Sequence, residues 1–281
     1  MAPSLTRQCR GLIFKWSDHM LVFPRMADFE IKITTDPRDI IEAQRLRFQV
    51  FNLELNRGLQ RSYQTGLDVD EFDPFCSHLI VRDNQSNEIV GTYRMMRGAQ
   101  ARQHSGFYSE KEFDLSQIKK LDGELLELGR SCARKDFRDR ALLPLMWEAI
   151  AEQVREHQVR YLFGCGSLYT TDLAQVRATF ALLKNKYYAP ERCRVEPVEG
   201  CRFIGLSDVP IGSADEAALF HKLPSLLKGY LRIGALVCGP PALDAEFGTA
   251  DFFLLLDFDQ LKEGYLKRLG LTDVKSDDAP A

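Results

Sequence analysis

ELGRSCARKDFRDRALLPLMWEAIAEQV, residues 127–154, is the stretch that decides the fold. Its pattern predicts the end of a strand, a basic loop and an amphipathic helix, in that order. The loop places four cations directly before the helix: Arg134, Lys135, Arg138 and Arg140. A helix N-terminus with cations beside it favours an anion. Residues 131–154 contain no glycine, whereas a nucleotide pyrophosphate usually needs the close backbone approach that glycines permit. The pattern therefore predicts a single phosphate held mostly by side chains.

The composition of the 281 residues is that of an ordinary globular chain. Its 45% hydrophobic and 27% charged residues support a sizeable core. A net charge of −3 argues against nucleic acid as a partner, because such binders are usually basic. The seven cysteines stand singly, without a C-x-x-C pair or zinc-ligand spacing. This usage predicts a reducing, cytoplasmic setting and no metal.

The chain is predicted to divide into four segments. Residues 1–25 form an N-terminal extension, interfacial or disordered, in which polar residues interrupt any apolar run suited to a signal peptide. Residues 26–190 form the core, and residues 191–270 complete the same domain with a helix hairpin and a last strand. Residues 271–281 form a disordered tail. The sequence has no run of the roughly 18 apolar residues that a membrane-spanning helix needs.

The order of elements predicts one mixed α/β domain. Alternating residues over Phe29–Thr34 predict a first strand, and Asp36-Pro37 predicts the start of a helix. A hairpin over 76–96 follows, and then a short helical insert over 106–121. The remaining predicted elements are the strand ELLELGRSC, a helix from Leu142 to His157, the strand RYLFGCGSL and a helix over Asp172–Tyr187. The first three of these form a strand–crossover helix–strand unit.

Charged residues occur where strands are predicted, which is costly in a core unless they have a purpose. They are Arg47 on the first helix, Asp68, Asp70, Glu71 and Asp73 in LDVDEFD, Arg94 on a strand, and Glu127 and Arg130 on the next. Period-two geometry puts Glu127 and Arg130 on opposite faces of their strand. A bulge near Gly129 would turn both toward one cleft. The alternative interpretation is a structural ion-pair network.

Two further patterns have both a functional and a structural interpretation. Cys132 or Cys165 could act as an acyl-accepting nucleophile with His78 as base, but cysteines in apolar strands are usually small hydrophobes. LPSLLKGYLRIGALV, residues 223–237, has the apolar face of a membrane-surface helix. Ordinary core packing explains that face equally well.

Five motifs carry a family resemblance: GTYR at 91–94, ELGRSC at 127–132, YLFGCGSL at 161–168, LPSLLKGYLRIGA at 223–235 and TADFFLLL at 249–256. They resemble the bacterial N-acyltransferases that make lyso-ornithine lipid, which are hemolysin-like proteins of the GNAT class. A more distant resemblance is to acyl-homoserine-lactone synthases and long-chain N-acyl amino acid synthases. Their shared pattern appears here as Arg47 with Phe51, Asp70 with Asp73, Arg94, and Glu127 with Arg130.

The resemblance implies a fold and an activity. The fold would be a GNAT-like α/β (α+β) domain, with a mixed, largely antiparallel sheet flanked by helices and a helical C-terminal extension. The activity would be transfer of a 3-hydroxy fatty acyl chain from acyl carrier protein to the α-amine of L-ornithine. No cofactor would be bound, because the acyl donor is carried on the 4′-phosphopantetheine of the carrier protein. The enzyme would be cytoplasmic, with possible peripheral contact at the inner face of the membrane.

The resemblance also implies roles for site residues. The catalytic residues would be Glu127, Arg130 and Ser131. The acceptor amino acid would be bound by Arg47, Phe51, Asp70, Asp73, Arg94 and Asp251. The pantetheine arm and carrier protein would contact Leu128, Gly129, Arg134, Lys135, Arg138, Arg140, Gly164 and Ser167. Where coenzyme A-dependent acetyltransferases keep a glycine-containing pyrophosphate loop, this chain has Arg138–Leu143 without glycine, which favours a carrier protein as donor.

Other acceptors and another class of function remain open. This chain has Cys238-Gly239-Pro240-Pro241-Ala242 where the family pattern has a GDGA-like run, and Gly248-Thr249-Ala250-Asp251 where it has an asparagine and a second threonine. Because this region is expected to shape the acceptor pocket, glycine or lysine could replace ornithine. A homoserine-lactone synthase is less favoured, since the C-terminal third matches the lipid family. A non-catalytic acyl- or lipid-binding protein would have little need for buried Glu127 and Arg130.

Overall fold

The computed structural model describes residues 28–138, 142–206 and 213–261. The predicted extension over 1–25, the tail over 271–281 and Arg140 lie outside these ranges. The strands are β1 Phe29–Thr34, β2 Ser77–Asp83, β3 Ile89–Arg97, β4 Phe113–Asp114, β5 Glu124–Ala133, β6 Val159–Leu168, β7 Glu196–Pro197, β8 Leu236–Val237, β9 Ala242–Asp244 and β10 Thr249–Asp257. The helices are α1 Pro37–Phe48, α2 Gly98–Gln103, α3 Leu142–Glu156, α4 Leu173–Tyr187, α5 Ser213–Lys222 and α6 Ser225–Ile233.

Eight strands form one sheet in the order β1-β2-β3-β5-β6-β10-β8, with β9 also paired to β10. Neighbouring strands of the described sheet run antiparallel, except that β5 and β6 are parallel and joined by α3. A parallel neighbour requires such a crossover helix. The GNAT-like, largely antiparallel mixed fold is therefore confirmed.

Alternating side chains bury both faces of the sheet. In β2, Leu79 and Val81 pack on the face that α3 covers, whereas Ile80 packs against α1 on the opposite face. Asp36 caps α1 by accepting a hydrogen bond from the Arg38 N–H at 2.8 Å, and Pro37 follows as the first helical residue. The start of α1 is thus the one its sequence predicts.

A β-bulge interrupts β5 at the position where the sequence predicts one. Arg94 pairs with Gly129 and Thr92 with Cys132, so β5 has one more residue between these pairs than β3 has. Arg130 takes up the irregularity with φ 49°, a left-handed conformation that is uncommon for a residue other than glycine. The bulge places Glu127 and Arg130 beside the same cleft.

The cleft opens where β5 and β6 part. Their parallel ladder ends at the pair Glu127 and Phe163. Gly164 keeps the two strands close at this point, because a Cβ there would lie 2.2 Å from the Leu128 carbonyl oxygen. Beyond it, the edges of both strands turn toward the cleft without pairing to each other.

The insert over 106–121 is not the helix that its sequence predicts. It forms two short 3₁₀ turns, Tyr108–Lys111 and Ile118–Lys120, with β4 between them paired to β7. Gly106, the first residue of the insert, has φ 92°, so α2 cannot continue into the insert. Its buried side chains Phe107, Phe113, Leu115 and Ile118 also lack helical spacing.

The C-terminal part of the chain has two consecutive helices, α5 and α6. Leu227 and Leu231 of α6 are buried in the core, and Leu226 and Tyr230 line the cleft. The apolar face of α6 is therefore explained by packing and by the site. Across the described ranges, the helices lack the length and apolar composition needed to cross a bilayer.

Candidate active site

The cleft between β5 and β6 gathers most of the predicted site residues. Its walls include Phe51, Arg94, Glu127, Leu128, Gly129, Arg130, Ser131, Ser167 and Asp251. The cavity volume is about 130 Å³, the volume of about four water molecules. A small amino acid therefore fits within it.

Arg47 lies outside this cleft, in a buried ion-pair network. Its guanidinium is 1% exposed and donates two parallel hydrogen bonds to Asp73, at 2.9 and 2.7 Å. Its Nε lies 2.9 Å from Asp68 Oδ2. Burial alone would raise the pKa of Asp73. Arg47 and Arg94 outweigh this effect and hold that pKa well below its usual range. Arg47 and Asp73 therefore fit the alternative interpretation, a structural ion-pair network.

The same network continues toward the cleft through Asp70. Arg94 contacts Asp70 Oδ1 at 2.5 Å, and Arg130 Nη2 contacts Asp70 Oδ2 at 3.0 Å. The three arginines Arg47, Arg94 and Arg130 thus face three aspartates, Asp68, Asp70 and Asp73. This balance leaves little charge on Asp70 or Asp73 for an incoming ammonium. Those two aspartates hold the arginines in place.

Glu127 is buried beneath a tight turn. Its carboxylate accepts hydrogen bonds from the Tyr108 N–H at 2.9 Å, the Ser109 N–H at 2.8 Å and the Ser109 hydroxyl at 2.5 Å. Burial raises the pKa of Glu127, against the lowering effect of these bonds and of Arg94. A carboxylate has about four acceptor positions, so one remains for a group in the cleft.

Arg57 and Arg130 both line the cleft. The Arg130 guanidinium lies between the Tyr108 and Phe247 rings, 4.8 and 4.7 Å from their centroids. Arg57 instead donates to three backbone carbonyl oxygens, those of Phe247, Gly248 and Tyr169. Carbonyl partners do not neutralise a guanidinium, so Arg57 brings positive charge to the cleft mouth.

The cleft also has acidic residues. Asp251 is buried and accepts a hydrogen bond from the Thr249 hydroxyl at 2.8 Å. Asp244 also lines the cleft, and Glu112 is buried close by. Burial and the nearby Asp244 raise the pKa of Asp251 to about 6. The cleft therefore holds positive and negative groups together.

Asp251→Asn is expected to stabilise the folded chain in a pH-dependent way. Because the folded pKa is raised to about 6 and the usual value is about 3.9, the native state loses stability as pH rises between these values. The loss reaches about 3 kcal/mol at pH 8 and about half of that at pH 5. Asparagine cannot ionise, so urea unfolding should show a larger gain at pH 8 than at pH 5. An equal loss of stability at both pH values would contradict this assignment.

The cysteines that were considered as nucleophiles lack an activating base. Burial raises the pKa of Cys132 to about 12, and burial with the neighbouring Glu112 raises that of Cys165 well above its usual range. His78 is fully buried, and its Nε2 contacts the Asp73 carbonyl oxygen at 3.1 Å. This geometry favours the interpretation of both thiols as core groups.

The basic loop after β5 lies at the surface beyond the cleft. Arg134 is paired with Glu88 and Asp136, and Arg138 with Glu54. Such exposed pairs contribute only about 0–1 kcal/mol each, so an incoming phosphate can replace the carboxylates. The described ion pairs leave the Lys135 ammonium without a carboxylate partner.

Sequence reasoning missed four residues that line the cleft, Arg57, Tyr108, Ser109 and Asp244, and the buried Glu112 near Asp251. Each lies in a turn, a very short strand or a loop, where hydrophobic periodicity gives no signal. Asp244 lies on β9, which is only three residues long, and Glu112 directly precedes the two-residue β4. Short strands of this kind have no recognisable pattern.

Comparison with known proteins shows the family of the chain. Residues 46–148 match the family model described as "Acetyltransferase (GNAT) domain". An L-ornithine N(alpha)-acyltransferase of Rhodobacter capsulatus is 34% identical over 84% of this chain and 92% of that protein. One from Brucella abortus is 30% identical over 94% of this chain and 96% of its own. The crystal structure of the AHL synthase LasI aligns with a TM-score of 0.47 and 11% identity, over 85% of this chain and 93% of that one. The protein is an acyltransferase, and it belongs to the L-ornithine N(alpha)-acyltransferase family.

Proposed function

We propose that this protein transfers a 3-hydroxy fatty acyl chain from acyl carrier protein to the α-amine of L-ornithine, giving lyso-ornithine lipid. The observation that carries this proposal is the charge arrangement of the β5–β6 cleft. Glu127 and Arg130 of β5 line it together with Asp244 of β9 and Asp251 of β10. An amino acid with a carboxylate at one end and a second ammonium at the other matches that arrangement.

The donor's pantetheine arm lies between the parted edges of β5 and β6. Beyond the last β5–β6 pair, the backbone near Gly129 and Ser167 faces the cleft. An amide-containing arm can bond to these edges as an added strand would. Gly129 has open space where a Cβ would stand, so the arm can approach its backbone closely.

The reaction is a direct attack of a neutral α-amine on the thioester carbonyl carbon. The new C–N bond forms, the C–S bond breaks, and the pantetheine sulfur leaves. A backbone N–H near Leu128 or Gly129 stabilises the developing oxyanion, an effect worth about 3 kcal/mol. Glu127 takes the amine proton, directly or through a water molecule. Its burial keeps it more basic than an exposed carboxylate.

The acceptor's carboxylate binds to the arginines of the cleft. Arg130 has its charge matched by Asp68 and Asp70, whereas the hydrogen bonds of Arg57 go to backbone carbonyls. Arg57 is therefore the better partner for the acceptor's carboxylate. Arg130 helps to orient that carboxylate. With the distal amine kept charged beside Asp244 and Asp251, the α-amine is the one that becomes neutral, because its reference pKa is lower by roughly 2.5 units.

The acyl chain packs against α6. Pro224, Leu226 and Leu227 form an apolar stretch of the cleft wall, which suits a hydrocarbon. The product is a lipid, so we infer that it leaves toward a membrane and that the enzyme contacts the membrane peripherally. The same apolar stretch would guide the acyl chain of the product toward the membrane.

A carrier protein suits the loop after β5 better than free coenzyme A does. Lys135→Glu is expected to raise the KM for acyl carrier protein by about three- to tenfold with little change in kcat, because a rim charge acts mainly on association. Steady-state kinetics at several salt concentrations measures this effect. Lys120→Glu, the same reversal on the 3₁₀ turn before β5, serves as control and should have no effect. Equal effects of the two changes would contradict docking at this loop.

The acceptor is identified by supplying 3-hydroxyacyl carrier protein with ornithine, glycine or lysine. Free-thiol release and the product mass are then followed. We expect release that depends on ornithine. Release with glycine instead would keep the chemistry and reject ornithine as acceptor. A folded sample without release for any amino acid would contradict the proposed activity and favour an acyl-binding protein.

A further inference from the structure

We propose that Glu112, together with Asp251, binds the distal ammonium of a dibasic amino acid and thereby sets acceptor selectivity; this inference rests on the proposed N-acyltransferase function. Glu112 directly follows the 3₁₀ turn that also supplies the N–H donors for Glu127. A single turn therefore connects the candidate base with the candidate selectivity site.

Glu112 has an unused acceptor in a place where water hardly reaches it. The residue is 4% exposed, and its Oε2 has no hydrogen-bond partner among the described residues. A buried carboxylate oxygen without a donor costs about 1–3 kcal/mol or more. Such a cost is reasonable where a ligand supplies the missing donor.

The spacing of the acceptors fits one ammonium group. A Glu112 carboxylate oxygen, Cys165 Sγ and an Asp251 carboxylate oxygen lie within 4.8 Å of one another. Two acceptors that share one tetrahedral nitrogen at hydrogen-bond distance are about 4.6 Å apart. Cys165 and Asp251 line the cleft, so a side chain that enters from the α-amine site reaches this cluster.

The negative charge of the cluster also favours binding of a cation. Burial first, then the neighbouring Asp251 and Asp244, hold the pKa of Glu112 well above its usual range. Arg130 opposes this effect, but its guanidinium is already paired with Asp70. An incoming ammonium would offset the repulsion between the carboxylates. An uncharged side chain of the same length would not.

The test compares ornithine with norvaline, which has the same carbon chain without the distal amine. Each is assayed with saturating 3-hydroxyacyl carrier protein. We expect Glu112→Gln to lower kcat/KM for ornithine by about 10- to 100-fold, the range for one lost bond to a charged group. Turnover of norvaline should change less than twofold. Glu196→Gln is the matched control, since Glu196 is exposed on β7, the strand that pairs with β4 just after Glu112.

Distinct outcomes separate this inference from the proposed function. A wild-type enzyme that does not acylate ornithine would reject the proposed function. A wild-type preference for ornithine that Glu112→Gln leaves intact would overturn the inference alone. Equal losses for ornithine and norvaline would show that Glu112 acts on the fold, which also overturns it. Calorimetric binding of ornithine without donor gives a second measurement, in which Glu112→Gln should weaken binding.

A metal ion is the other cation that two carboxylates and a thiol can hold. The wild-type assay is therefore repeated after treatment with a chelator. We expect the ornithine preference to be unchanged. Loss of that preference on chelation, restored by added Zn²⁺, would assign the cluster to a metal and overturn the ammonium site.

Discussion

Glu127→Gln is expected to lower kcat/KM for amide formation by about 10²–10⁴-fold, the usual contribution of a general base. Glutamine keeps the size of the side chain but cannot accept the amine proton. In the wild type, activity should be lost as pH falls through the raised pKa of Glu127, because only the ionised carboxylate is a base. The pH profile of kcat/KM measures this, and the small activity of the variant should not follow the same titration.

The variant also needs a test of folding, because the Glu127 carboxylate bonds to the turn at Tyr108 and Ser109. The amide NH₂ of glutamine would face one N–H donor there, at a cost of about 1–3 kcal/mol. Ser109→Ala removes one donor, the hydroxyl, and leaves the base in place. It should reproduce part of the stability loss with much less effect on turnover. Equal losses of turnover for both variants would indicate that Glu127 only anchors the turn.

Arg47→Met is expected to destabilise the chain by about 3–5 kcal/mol, since removing one partner of a buried pair leaves uncompensated charge. Asp73 would lose its two parallel hydrogen bonds, and Asp68 its nearest cation. Urea unfolding at neutral pH measures the change. Arg45→Met, on the exposed side of the same helix, is the matched control and should differ little from the wild type.

The same variant tests whether Arg47 binds substrate. The network predicts that any part of the Arg47→Met population that stays folded has a near-normal KM for the amino acid. A stable variant with a strongly raised KM would mean that Arg47 reaches the acceptor, contrary to its position beneath Asp73 and Asp68.

Much of the fold and part of the cleft could be predicted because the signals are local. Asp36-Pro37 starts α1, and the alternation in β2 divides its residues between two faces. The bulge at Arg130 follows from charges that period-two geometry would otherwise place on opposite faces. In each case the residues that determine the feature lie within a short stretch of the chain.

The features that the sequence did not predict depend on contacts between residues far apart in the chain. Arg47 was predicted to bind substrate, but Asp68 and Asp73 neutralise it in the core, and residue types alone do not show such pairing. Glu112 and Asp251 meet only because the insert folds back through β4 and β7. The helical prediction for that insert was wrong for the same reason, since tertiary packing decided its shape.

The most direct test of the mechanism is intact-mass analysis of the enzyme mixed with equimolar 3-hydroxyacyl carrier protein, with and without ornithine. Direct amine attack predicts an unmodified enzyme at all times and no thiol release until ornithine is added. With ornithine, each released thiol should match one product acylated on the α-amine. An enzyme that gains the mass of the acyl chain while thiol is released without ornithine would contradict direct transfer and assign a covalent intermediate.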